Sequence, residues 1–207
     1  MIVYIESNCL LEIALEQEQS SAARSIISLA ESCQIGLAYP SFALSEPFEN
    51  IIRARRERNI TQKSLEKILI DLERSESHKQ IALDLKPAAS ILKSVYTIQM
   101  GLLCTTVDQL LSVGRCISMD ASNFREALAY QRSLELSLQD SIIYSAVIAD
   151  LKNQPIEEVK CFLSRDHKAF GRHGDHRVKV ELGKYNCRYI GSFTQGLDFI
   201  QSSLNMG

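Results

Sequence analysis

The sequence is short of the features that mark a secreted, fibrous or membrane-embedded chain. It holds 9 Gly and 4 Pro in 207 residues, too few for a linker or a collagen-like repeat. No C-x-x-C pair occurs. Cys9, Cys33, Cys104, Cys116, Cys161 and Cys187 stand singly in apolar surroundings, as small buried hydrophobes do in a reducing compartment, so neither a disulfide framework nor a cysteine zinc site is expected. The most apolar run, residues 142–149, is closed by Asp140 and Asp150. It falls far short of the roughly 20 residues that span a bilayer, so no membrane partner is expected. Residues 1–4 lack a basic, signal-like start and lead straight to a carboxylate at Glu6, which predicts a cytoplasmic chain. Neither sign of charge dominates: Lys plus Arg is 23 and Asp plus Glu is 25, a net charge of −2, so a nucleic-acid partner would have to meet a local patch. The phosphate-cradling patterns G-x-x-x-x-G-K-S/T and G-x-G-x-x-G are missing, as is the hydrolase elbow G-x-S-x-G.

What is present is an ordinary globular composition, 45% hydrophobic and 23% charged, over a length that suits one enlarged domain. Residues 2–5 form a short β-branched and aromatic run that stops at Glu6-Ser7-Asn8, a strand followed by a helix entry. Residues 20–32 repeat Ala22, Ala23, Ile26, Ile27 and Ala30 at helical spacing. Residues 35–39 read as a second strand, and Pro40 suits the start of the helix that follows, over residues 41–58. Pro47 would bend that helix or mark a new first turn. Residues 60–137 keep helical periodicity almost throughout, with no strand expected. A helix at 138–151, a strand at 159–163, a loop at 164–174, a strand at 186–190 and a helix at 194–204 restore the alternation. The expected organisation is one α/β domain, with a core at about 1–58 and 138–204 and an all-helical insertion at about 60–137.

Glu6, Asp140 and Asp166 stand just past strand ends or in a first helical turn, where α/β folds place ligands, and Glu46 lies early in the helix after the second strand. Crowded carboxylates repel, so such a set is stable as anions mainly around a hard divalent cation, Mg²⁺ or Mn²⁺. Each acid also has a plain structural reading. Glu6 and Asp166 suit turns, Glu46 suits an exposed helix, and Ser137-Leu138-Gln139-Asp140 matches the S-x-x-D/E cap. The functional reading rests on the four together.

Val3-Tyr4-Ile5-Glu6-Ser7-Asn8, Ser45-Glu46, Gln139-Asp140-Ser141-Ile142-Ile143 and Leu163-Ser164-Arg165-Asp166-His167-Lys168-Ala169-Phe170 resemble, in order and in spacing to each strand, the PIN domain. The resemblance covers about residues 1–58 and 138–204. It implies a three-layer α/β/α PIN-like fold with a central parallel sheet, and a Mg²⁺- or Mn²⁺-dependent ribonuclease in which Glu6, Glu46, Asp140 and Asp166 bind metal. Asn8 and Ser164 match polar residues that support such a site. A metal-activated water would attack the phosphodiester in line, with no covalent enzyme intermediate. One departure is Glu6, since the family's first acid is usually Asp and the longer side chain changes the carboxylate's reach. A noncatalytic RNA-binding or protein-interaction module with a weakened metal site is therefore the alternative expectation. The resemblance also raises toxin-antitoxin function, with an antitoxin or other protein partner and a homodimer as expectations, although small PIN toxins lack so large an insertion.

An RNA substrate needs cations that position its phosphates. Helical spacing sets Arg53 on the side of Glu46, and Arg165, Lys168 and Arg172 flank Asp166. These four are the candidate nucleic-acid contacts. A solvated helix end is the plain reading of the arginines at 53–58. His167, His173 and His176 match no standard closed zinc site and read as surface residues.

Overall fold

The computed structural model describes residues 1–171 and 176–205. Its strands are β1 (Ile2–Ile5), β2 (Gly36–Pro40), β3 (Arg115–Ile117), β4 (Lys160–Leu163) and β5 (Cys187–Ile190), all parallel, in the order β3-β2-β1-β4-β5. The helices are α1 (Ser7–Ala14), α2 (Ser20–Glu31), α3 (Ser45–Glu73), α4 (Lys79–Val113), α5 (Ala121–Ser133), α6 (Leu138–Leu151), α7 (Arg177–Gly183) and α8 (Phe193–Leu204).

The inner strands β1, β2 and β4 read as largely apolar runs because both faces of the sheet are covered there. Val3, Ile5, Leu37, Tyr39, Cys161 and Leu163 face a core built with α1, α2, α8 and the second half of α4. Tyr4, Ala38, Ile117, Phe162 and Cys187 face a second core with α6 and α7. The result is a mixed α/β fold with a parallel central sheet, compatible with a three-layer arrangement. In α6 the run Ser141 to Ile148 is buried on every side, which is why that helix carries no single apolar stripe. Among the described residues, no helix is long and apolar enough to cross a membrane.

The stretch at 60–137, expected to be wholly helical, contains β3, which pairs with β2 through Ala38–Arg115, Tyr39–Cys116 and Pro40–Ile117. Three residues at a sheet edge, two of them exposed, are too few to carry an alternating or apolar signal. α3 runs without a break across residue 59, and Leu103, Val107 and Leu110 of α4 belong to the main core. What departs from that core is the far part of the α3–α4 pair, joined by its own small cluster of Leu69, Ala82 and Ala89 with Leu65 and Leu72. Pro40 ends β2 and precedes a 3-10 turn at Ser41–Leu44, so the helix expected from residue 41 begins at Ser45. Pro47 then falls in its first turn, where a missing N–H costs nothing.

A carboxylate site at the sheet's switch point

From β1 the chain goes to β2 and β3 on one side, then returns to place β4 on the other side of β1. That reversal falls at the carboxyl ends of β1 and β4, the place where open parallel sheets bind ligands. Glu6 follows β1 directly and Asp166 lies three residues past β4. Glu46 and Asp140 each lie in the first turn of a helix, α3 and α6.

Glu6 and Glu46 meet through Ser7. The Ser7 hydroxyl lies 2.8 Å from Glu6 Oε2 and 2.6 Å from Glu46 Oε2. It has one hydrogen, so it donates to only one carboxylate, and the other contact is a hydrogen bond only when that carboxyl carries a proton. Glu6 is the group suited to carry it. Burial pushes its pKa up to about 7, against the opposing pull of the Asn8 N–H and the Ser7 and Ser164 hydroxyls. Its Oε2 accepts the Asn8 backbone N–H at 3.1 Å, so Glu6 caps α1 with its own side chain. The other oxygen, Oε1, is buried with no hydrogen-bond partner. Ser164 and the Asn8 side chain lie close to the carboxyl, and a buried oxygen of this kind is completed by a short shift of such a neighbour, by an ordered water or by an ion.

Asp140 is half-buried and held by its helix cap: Ser137 Oγ accepts the Asp140 N–H at 3.1 Å and lies 2.5 Å from Asp140 Oδ2. The capping pattern seen in the sequence is thus real, and it does not exclude the site reading. Burial raises the Asp140 pKa; the Ser137 hydroxyl opposes this, and the negative charges of Asp166 and Glu46 raise it further. Asp166 Oδ1 accepts the N–H groups of Lys168 and Ala169, both at 2.9 Å, while its own N–H donates to Ser164 Oγ at 3.0 Å. Ser164 is buried and stands between Asp166 and Glu6.

The four acids therefore share one electrostatic neighbourhood but do not converge on a point. Among the described residues, no group of three or more His, Cys, Asp or Glu side chains is placed to hold one metal ion. The donor chemistry, all carboxylate oxygen, suits a hard divalent cation, and Glu6 Oε1 offers an unused ligand atom. Asn8, half-buried, supports Glu6 through its backbone N–H.

The candidate cations divide. Arg165 is committed within the chain, to buried Glu12 at 2.5 Å and Glu18 at 3.0 Å, so its charge neutralises Glu12 and ties the loop after β4 to α1. Arg53 is exposed on α3 and bonds Asn50 at 2.5 Å. Beyond it Arg55 lies over the Tyr96 ring at 4.2 Å and Arg58 bonds Gln99 at 2.8 Å, so part of the arginine run fastens α3 to α4. Lys168 is exposed beside Asp166. Arg172 and His173 lie outside the described residues.

Sequence reasoning missed Ser7 as a site residue, although a hydroxyl adjoining a strand-end acid is a readable signal. It also missed Tyr189, whose hydroxyl donates to the Ser164 carbonyl at 3.1 Å; burial raises its pKa first, and the charges of Asp166 and Glu6 add to the rise. No family model matches the chain, and comparison with curated proteins and with solved structures finds no match.

Proposed function

We propose that this chain is a metal-dependent endoribonuclease of the PIN type, a three-layer domain that hydrolyses RNA phosphodiester bonds. The observation that carries the reading is the buried Glu6 carboxyl with an unpartnered oxygen, set at the switch point of a parallel sheet beside three further acids. Glu6, Glu46, Asp140 and Asp166 would hold Mg²⁺ or Mn²⁺, which when bound polarises the phosphate and acidifies a water.

The chain's own residues do the positioning. Ser7 keeps Glu6 and Glu46 in register, and Ser164 with the Lys168 and Ala169 amides aims Asp166. Arg53, Lys168 and Arg172 would meet the phosphates of the strand, an electrostatic contact that weakens with salt. In this scheme water is the attacking group, and no covalent enzyme intermediate forms.

The test is RNA cleavage in Mg²⁺ or Mn²⁺, with and without chelator, beside Asp140→Asn and Asp166→Asn. Loss of cleavage in chelator and in both variants is the expected result; cleavage that survives either treatment rejects the site. A second reading, a noncatalytic RNA-binding or protein-interaction module, is favoured by one observation. Glu6 folds back as a helix cap, and among the described residues no group of three His, Cys, Asp or Glu side chains is placed to hold one ion. RNA binding without cleavage would select it.

A further inference from the structure

Beside the acids, at the carboxyl ends of β4 and β5, lies a cavity of about 380 Å³ whose walls include His167, Lys179, Arg188, Tyr189 and Gln195. No carboxylate lines it among the described residues. This volume is at the small end of ligand sites, enough for one nucleotide unit rather than a folded partner. Lys179 and Arg188 are exposed, and among the described residues neither has a carboxylate within ion-pair distance; the Arg188 guanidinium lies over the Phe199 ring at 5.2 Å. Both side chains line the cavity, and both also border the neighbouring groove that holds Phe199, so their charge stands at its wall.

The cavity wall is built around His167. A Cβ added at Gly191 would fall 2.5 Å from His167 Cε1 and 3.0 Å from Nδ1, and one added at Gly171 would fall 3.0 Å from Nδ1. The imidazole can occupy its place only because both neighbours are glycine. Tyr189 links this wall to the acids, since its hydroxyl bonds the Ser164 carbonyl and feels the charges of Asp166 and Glu6.

We infer that this cavity is a phosphate subsite, which takes the phosphate of a ribonucleotide adjoining the bond held at the carboxylates. Lys179 and Arg188 supply the charge, and His167 and Gln195 supply directional hydrogen-bonding groups at the rim. The place of this subsite beside the scissile bond rests on the ribonuclease reading; the phosphate recognition does not.

The test is calorimetric titration of the full chain in chelator and low salt, with inorganic phosphate and separately with uridine 5′-monophosphate. The expected result is a Kd of about 1 mM for the nucleotide, lost as salt rises. Arg188→Gln combined with Lys179→Gln should weaken it roughly tenfold, and Arg188→Lys should retain it, as electrostatic recognition requires. Gly191→Ala should weaken it roughly threefold by displacing the imidazole, with thermal unfolding run alongside to show that the fold persists. Binding of neither probe to the wild-type chain overturns the inference, as does binding that the double variant keeps. The two readings fail separately: nucleotide binding that depends on Arg188, in a protein that cleaves no RNA, removes the nuclease and leaves the subsite. RNA cleavage without phosphate binding does the reverse.

Discussion

Replacing Glu6 by Gln should stabilise the metal-free protein at mildly alkaline pH and do little in acid. Glu6 is 4% exposed, and burial lifts its pKa from the ordinary 4.5 to about 7. Below the ordinary value the carboxyl is neutral in both folded and unfolded chains, and the folded state bears no charge penalty. Between the two values the unfolded chain ionises while the folded one holds its proton, so stability falls as pH rises. Above about 7 the full penalty is present, about 3 kcal/mol. Gln keeps the shape and removes the charge, but sets an amide where Oε1 has no partner, which costs about 1 kcal/mol. The net expectation is a gain of about 2 kcal/mol near pH 8 and none, or a small loss, near pH 4. Urea unfolding midpoints across that range, in chelator, measure it. A variant that is less stable than wild type at pH 8, or a difference that does not change with pH, would refute the reasoning. Added Mn²⁺ should then stabilise wild type and not the variant, because a cation that binds only the folded chain adds to its stability.

Ser7→Ala removes the one hydroxyl that spaces two carboxylates, and should cost about 1–2 kcal/mol in denaturant titration while weakening Mn²⁺ binding. Ser137→Ala takes away the cap of α6 and should cost about 1 kcal/mol in the same assay. At the far end of the same helix, Asp150 accepts the Tyr4 hydroxyl at 2.6 Å and the Arg115 guanidinium at 2.7 Å, joining α6 to β1 and β3. Asp150→Ala leaves the Tyr4 hydroxyl buried without its acceptor, an expected loss of about 2–3 kcal/mol by thermal or urea unfolding. Burial alone would raise the Asp150 pKa, but Arg115 and Tyr4 outweigh it and hold it below the ordinary value. The stability it contributes is present above that ordinary value and is lost as pH falls through the folded one, in the acid range below about pH 4.

Most of the frame was legible because its signals are local. Val3-Tyr4-Ile5 and Cys161-Phe162-Leu163 are continuous apolar runs and fold as central strands; residues 138–151 carry a cap and form α6 within the expected bounds. β3 was not legible, since Arg115-Cys116-Ile117 gains its strand character only by pairing with β2. The site divides in the same way. The four acids could be placed near strand ends and helix starts, but Glu6 as a helix cap was hidden, because Asp, Asn, Ser and Thr are the residues that usually cap. The commitment of Arg165 to Glu12 and Glu18 spans most of the chain, and no local pattern could announce it. Ser7 is the intermediate case: its position beside Glu6 is visible in the sequence, its reach to Glu46 only in the fold.

The most direct measurement is a crystal structure of the full chain grown in Mn²⁺, with the metal located by its anomalous signal. The expected result is a peak beyond the carboxyl ends of β1 and β4, about 2.2 Å from oxygens of Glu6 and at least two of Glu46, Asp140 and Asp166. Absence of that peak at saturating Mn²⁺, or a peak held elsewhere on the chain, would contradict the proposed site.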